Sequence, residues 1–298
     1  MKEERGILAV VLRTAVPTNQ PWEKAVILRR IVLSGLASVL LSNVFFSAAG
    51  AAAEQPTDQQ LQQEKQLGTD TFNELKTKRE IIDSSPLYDS LKPLASDIAR
   101  AAQSRYGLPI KFYLVHEAQP NAFATPGGNV YVVDELLYFV KNEDELAGTI
   151  CHELAHTIHH DSMELAEKQK KIIERELGAA VLLGPTARQA LAIALLGKLH
   201  SLSYSREVET RADLTGSDIC AAAGHNPWGL IWLFTEFKNA RPGEMPSLLS
   251  DHPDDQERIN ALTQHFAANP AVFGRFSQDP KSATPFVVQK NAPVVFLR

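Results

Sequence analysis

The chain has 298 residues, enough for one or two domains. Its 30 basic and 35 acidic side chains give a formal net charge of −5, and no basic stripe appears, so nucleic acid is excluded as the expected partner. Two cysteines, Cys151 and Cys220, cannot build a disulfide framework; one bridge is open to them, but Cys151 sits in an apolar-periodic segment and reads as buried and reduced.

Residues 1–53 differ from the rest. After Arg29-Arg30, an uncharged run from Ile31 to Phe46 leads into Ser47-Ala48-Ala49-Gly50-Ala51-Ala52-Ala53. Basic flank, apolar core and small-residue end describe a secretory signal cleaved after Ala53. The alternative is an uncleaved anchor, since Ile31 to Ala53 is long enough to span a bilayer. Ser34, Ser42, Asn43 and the alanine-rich end make it mediocre hydrocarbon, which favours cleavage. Both readings place the remainder outside the cytoplasm; together with the family resemblance given below, the signal region implies the periplasm of a Gram-negative-type bacterium. The long lead before the apolar run is unusual, and translation is expected to start nearer Val26. No cysteine follows the apolar core at a lipoprotein-like position. Residues 1–53 hold six basic and three acidic side chains, leaving 24 against 32 and a net charge of −8. The expected division is 1–53 signal or anchor, 54–269 main domain, 270–298 tail.

Patterning predicts helices over Gln59–Arg79 and about Pro86–Tyr106, then strands near Ile110–His116 and Val130–Val133. A long helix follows at about 142–175, with Asn142 as cap and Glu145 completing a capping box. Leu146, Ile150, Leu154 and Ile158 recur every fourth residue and give it a buried stripe. Two apolar stretches, 177–183 and 187–199, flank Gly184-Pro185. Each is too short to cross a bilayer, and Arg188 and Lys198 interrupt the second, so buried core helices are expected. Helices are expected again at 203–222 and 226–240. The tail after Asn269 holds Pro270, Pro280, Pro285 and Pro293 among short β-like pieces, and its last twenty residues either dock as a strand or stay loose.

Inside the long helix lies Cys151-His152-Glu153-Leu154-Ala155-His156, which contains H-E-x-x-H. Positions four apart share a helix face, so His152 and His156 can offer two imidazole nitrogens to one zinc ion. Glu153 is placed to take a proton from a water at that metal. Cys151 points about one hundred degrees away from His152 and is left out of the site. A third protein ligand is needed. The downstream x-x-G-x-x-H spacing fails, because His159 and Ser162 occupy its glycine and histidine positions. Ser205-Arg206-Glu207-Val208-Glu209-Thr210-Arg211-Ala212-Asp213 offers a better source. Glu209 and Asp213 share a helix face, so one carboxylate can ligate zinc while the other accepts the free N–H of a ligating imidazole.

Taken together, H-E-x-x-H followed by S-R-x-x-E-x-x-A-D resembles the M48 family of zinc peptidases, the group containing the CAAX prenyl protease and bacterial membrane-stress proteases. Asn121-Ala122-Phe123-Ala124-Thr125-Pro126-Gly127-Gly128-Asn129-Val130-Tyr131-Val132 is similar to the family's N-A-F-A-x-P-G-G segment. Asp251-His252-Pro253 with Arg258-Ile259 is similar to its H-P-x-x-x-x-R-I element. The resemblance runs over roughly residues 60–265. It implies an α+β, zincin-like fold, mostly helical, with a small sheet whose edge strand lines the active-site cleft. It implies His152, His156 and Glu209 as ligands of one Zn2+ per chain, Glu153 as general base and Asp213 as the partner of a ligating histidine. His252 matches a histidine near the metal in some members, as an extra ligand or an oxyanion-stabilising group.

Residues 128–133 match the family's edge strand, which a peptide extends by β-augmentation. The implied substrate contacts are Asn121, Ala122, Phe123, Ala124, Gly128, Asn129, Val130 and Tyr131. One departure stands out: the family often has E-x-E-A-D, where this chain has Arg211, which leaves local electrostatics open. In membrane-embedded relatives the region between the second and third ligands spans the bilayer, so membrane proximity stays open here. No helical-pair repeat of the kind some relatives append is present. The expected function is zinc-dependent endopeptidase action on unfolded or misassembled envelope proteins. The alternatives are a non-catalytic or latent zinc-containing peptide-binding module, and a structural zinc site closed by His252.

Overall fold

In the computed structural model, which describes residues 56–177, 185–199, 204–239 and 256–298, the first helix begins with a complete capping box. The Thr57 hydroxyl accepts from the Gln60 N–H, and the Gln60 side chain accepts from the Thr57 N–H. Helix α1 runs Asp58–Lys78, followed by β1 (Ile81–Ser84), α2 (Leu87–Ala102) and a 3-10 turn at Gln103–Arg105. Then come β2 (Lys111–Val115), β3 (Ala122–Thr125), β4 (Asn129–Val133) and the short α3 (Asp134–Phe139). The remaining helices are α4 (Glu143–Ile158), α5 (Asp161–Leu177), α6 (Pro185–Leu199), α7 (Arg206–Ala223), α8 (Trp228–Asn239), α9 (Gln256–Ala268) and α10 (Pro270–Phe273). A 3-10 turn at Pro280–Ser282 and β5 (Val295–Phe296) complete the chain. This is the expected mostly helical α+β, zincin-like arrangement.

The sheet order is β3-β4-β2-β1-β5, with β2 and β4 parallel and every other pair antiparallel. The expectation that 128–133 forms the edge is thereby corrected. Gly127 and Gly128, at φ 83° and 82°, turn the chain back so that Ala122–Thr125 lies outside β4. β4 is interior and buried at every position, which is why it reads as a nearly unbroken apolar run. One face of the sheet (Ile82, Leu114, Val130, Val132) packs on the predicted stripe of Leu146, Ile150 and Leu154. The other face (Ile81, Val115, Tyr131, Val133) meets Leu75 of α1 and Leu196 of α6. The 187–199 stretch is thus a core helix as expected. No helix among the described residues is long and apolar enough to cross a membrane. The 31–53 segment, the question of the start codon and most of 177–183 lie outside the described residues.

Asn142 caps α4 by accepting from the Glu145 N–H at 2.9 Å. Glu145 reaches back to the Lys141 N–H (2.7 Å) and the Asn142 side-chain amide (2.7 Å), one residue upstream of the expected box. The predicted 142–175 helix is broken at His159-His160. His160 adopts φ 57°, and its ring bonds Glu64 at 2.8 Å, itself tied to the Tyr106 hydroxyl at 2.5 Å. That triangle pins the turn and sends α5 off in a new direction. Downstream, the tail docks rather than staying loose. Thr284 and Phe286 pair with the backbone at the start of α4, and Leu297 N–H donates to Ile81.

Cys151 and Cys220 form a disulfide, with Cα atoms 5.9 Å apart, which corrects the reduced reading. Burial was rightly expected; the bridge to Cys220, left open but disfavoured, is the one formed. The offset that turns Cys151 away from the metal face turns it toward α7. There Gly216 lets the helices close, since a Cβ on it would stand 2.9 Å from the Cys151 carbonyl. The bridge closes a separation of 69 residues and ties the two helices that carry the candidate site. Replacing both cysteines by alanine is expected to cost about 2–4 kcal/mol, by freeing a long loop in the unfolded chain. Urea unfolding should show it as a lower midpoint, and dithiothreitol should produce the same loss in the wild type but none in the double variant.

Candidate metal centre

His152 and His156 leave α4 on one face, one turn apart, and their Nε2 atoms approach to 3.1 Å. Opposite them stands Glu209 in the first turn of α7, a helix started by Ser205, whose hydroxyl accepts from the Val208 N–H. Glu209 Oε2 lies 3.3 Å from His152 Nε2, and Oε1 lies 3.9 Å from His156 Nε2. Among the described residues these three form the group able to hold a metal ion, their donor atoms lying within 4.8 Å of one another. Glu153 follows His152 on α4 and is buried at 1% exposure. All four side chains are sealed from solvent.

Each imidazole is fixed from behind. Asp213 Oδ1 stands 2.9 Å from His152 Nδ1. Asp161 Oδ2 stands 2.8 Å from His156 Nδ1. Carboxylates on both Nδ1 atoms leave both Nε2 atoms with the lone pair, aimed at the same point as Glu209. That donor chemistry fits zinc, which accepts imidazole nitrogen and carboxylate oxygen. Burial alone would favour a neutral His152, but hydrogen bonds to Asp213 and Glu209 push it up to about 9 without metal. Burial raises the Asp161 carboxyl to about 6, against the pull of Arg211.

Three neighbours escaped the sequence reading as parts of the site. Arg258, on α9, is 1% exposed and forks onto Asp213 at 2.7 and 2.6 Å, with its third nitrogen 3.1 Å from Glu209. Its only sequence signal is its place in the H-P-x-x-x-x-R-I element. Burial pushes the Asp213 carboxyl up, but the Arg258 charge and hydrogen bonds, with His152, hold it below the usual carboxylate range. Asp161 carried no signal, since in an unbroken helix it would point about 140° away from His156. Tyr204, just ahead of α7, stacks on His156 with ring centroids 4.5 Å apart. Burial pushes its phenol well up.

The predicted substrate segment divides in two. Asn121, Ala122 and Ala124 belong to the outer strand and its approach, which packs against α4. The register pairs Phe123 with Tyr131, and the Asn121 carbonyl accepts from the Val133 N–H, so the Ala122 and Ala124 backbone groups face away from β4. The Ser162 hydroxyl donates to the Ala124 carbonyl at 3.0 Å. Gly128 lies in the turn, while Asn129, Val130 and Tyr131 are on β4, whose backbone is paired on both sides. Phe123 and Tyr131 stack on each other at 5.0 Å within the core. His252 lies outside the described residues.

An H-E-x-x-H helix, a carboxylate from a second helix and an α+β frame define a metallopeptidase. The chain belongs to peptidase family M48, whose profile matches residues 88–265. It is 26% identical over 77% of its length to the beta-barrel assembly-enhancing protease of Yersinia pestis, covering 52% of that protein. It is 28% identical over 66% of its length to the protein of the same name in Escherichia coli K12, covering 42% of it. With the mitochondrial metalloendopeptidase OMA1 of Schizosaccharomyces pombe it shares 26% identity over 70% of this chain and 62% of the relative. The chain thus spans about half the length of the curated relatives it matches.

Proposed function

We propose that this chain is a zinc-dependent endopeptidase acting on extended stretches of unfolded or misassembled polypeptide outside the cytoplasm. The convergence of His152 Nε2, His156 Nε2 and Glu209, with both Nδ1 atoms held by aspartates, carries the reading. Zinc, when bound there, supplies Lewis acidity to the attacking water and the scissile carbonyl. Glu153 takes the proton from that water and returns it to the leaving amine. A peptide running beside the outer strand β3 would add to the sheet by backbone pairing, a contact that reads extended conformation and little sequence. The names of the relatives, assembly-enhancing protease and metalloendopeptidase, support polypeptide as substrate.

The test is cleavage of reduced, carboxymethylated protein by the zinc-loaded full-length chain. Cleavage abolished by 1,10-phenanthroline and restored by zinc is the expected result. Zinc binding without cleavage of any unfolded protein would overturn the endopeptidase reading in favour of a zinc-containing peptide binder.

A further inference from the structure

The two candidate ligand histidines are backed by the same device. Behind His152 stands Asp213, and behind Asp213 the guanidinium of Arg258. Behind His156 stands Asp161, and its other oxygen, Oδ1, is gripped by the Arg211 guanidinium. Resting on the reading that His152, His156 and Glu209 hold zinc, we infer that Arg211 is a positioning residue of the metal centre, acting through Asp161 on His156.

The geometry assigns the role to this residue in particular. Asp161 is buried at 3% exposure and presents one oxygen to the histidine and the other to the arginine, so its carboxylate plane is held from both ends. Arg211 lies on α7 two residues beyond Glu209, about 200° round the helix, on the face that meets the turn after α4. Thr215, one turn further on, is 2.8 Å from His159 Nε2, so that face is seated on the same turn. α7 therefore serves both histidines: Asp213 holds one directly, and Arg211 holds the other through an intermediary. The two devices differ in exposure. Arg258 is sealed, whereas the Arg211 side chain is 46% exposed and opens on a surface groove shared with Arg206, Glu207 and Glu257.

Zinc affinity of the full-length protein, measured by competition with a chromophoric chelator, tests the assignment without reference to peptidase activity. Removing the direct partner of a metal-bound histidine costs about 10–100-fold in metal affinity. Asp161→Asn should fall in that range, and Arg211→Gln, one step further out, should lose roughly tenfold. Arg211→Lys should recover most of that loss, because an ammonium can still donate to Asp161 Oδ1. The visible absorption of the cobalt-loaded protein should shift in Arg211→Gln and return toward wild type in Arg211→Lys. Zinc affinity and cobalt spectrum both unchanged in Arg211→Gln would reduce Arg211 to a surface ion pair and overturn the inference. So would an Arg211→Lys variant as weak as Arg211→Gln. If Asp161→Asn does not fold, the two Arg211 variants decide alone. A wild type that binds no zinc would instead sink the metal-centre reading itself.

Discussion

Glu153→Gln is expected to keep a full complement of zinc and to lose peptide hydrolysis by about 10²–10⁴-fold, almost all of it in kcat. Glutamine matches glutamate in shape, and Glu153 is not one of the three convergent donors, so the change leaves the metal set of His152, His156 and Glu209 as it is. What the amide cannot do is take a proton from water. Substrate affinity should therefore hold while turnover falls. His156→Ala is the matching control: it removes a donor and should lose zinc and turnover together. Elemental analysis of both proteins beside a peptide-cleavage assay separates the two effects. Normal zinc and normal cleavage in both variants would end the assignment of H-E-x-x-H to catalysis in this chain.

The part of the site that could be read from the sequence is the part built on helical periodicity. His152 and His156 share a face because they are four apart, and so do Glu209 and Asp213; each pair sits on a single helix whose register no tertiary contact has to supply. The missed residues depend on events with no local signature. Asp161 reaches His156 only because His160 turns left-handed, a conformation held by Glu64 from a helix ninety-six positions away. Arg258 comes from α9, and its place in the H-P-x-x-x-x-R-I element does not say that its guanidinium is buried against Asp213. The outer strand is four residues long and hidden in a motif whose glycines announce the turn but not which arm lies outside. Cys151 illustrates the limit from the other side. Its direction off α4 was correctly inferred, yet pairing it with Cys220 required knowing that Gly216 brings α7 into contact with α4.

Arg258→Ala is expected to destabilise the zinc-free protein by about 3–5 kcal/mol at neutral pH, the usual cost of breaking one side of a buried ion pair. No discount for solvent applies, since Arg258 and Asp213 are 1% and 0% exposed. The loss has two sources that pH separates. The guanidinium also lies over the Phe234 ring at 4.5 Å, and this packing is indifferent to proton concentration. The charge contribution is not. In the wild type Asp213 is held below the usual carboxylate range, so its stabilisation is complete above the unfolded value of about 4 and is lost as pH falls through the lower folded value. Without Arg258, burial acts with far less opposition and the folded value rises. A raised carboxyl penalises the folded state at neutral pH, and that penalty fades as pH drops to about 4. Near pH 4 the wild-type contribution is still largely in place, so the gap between variant and wild type narrows through the fading penalty in the variant. Urea unfolding with chelator present, at pH 7 and again near pH 4, should show the difference shrinking. A gap of equal size at the two pH values would mean that Arg258 holds α9 to α7 and α8 by packing alone, and that the charge on Asp213 is sustained by His152.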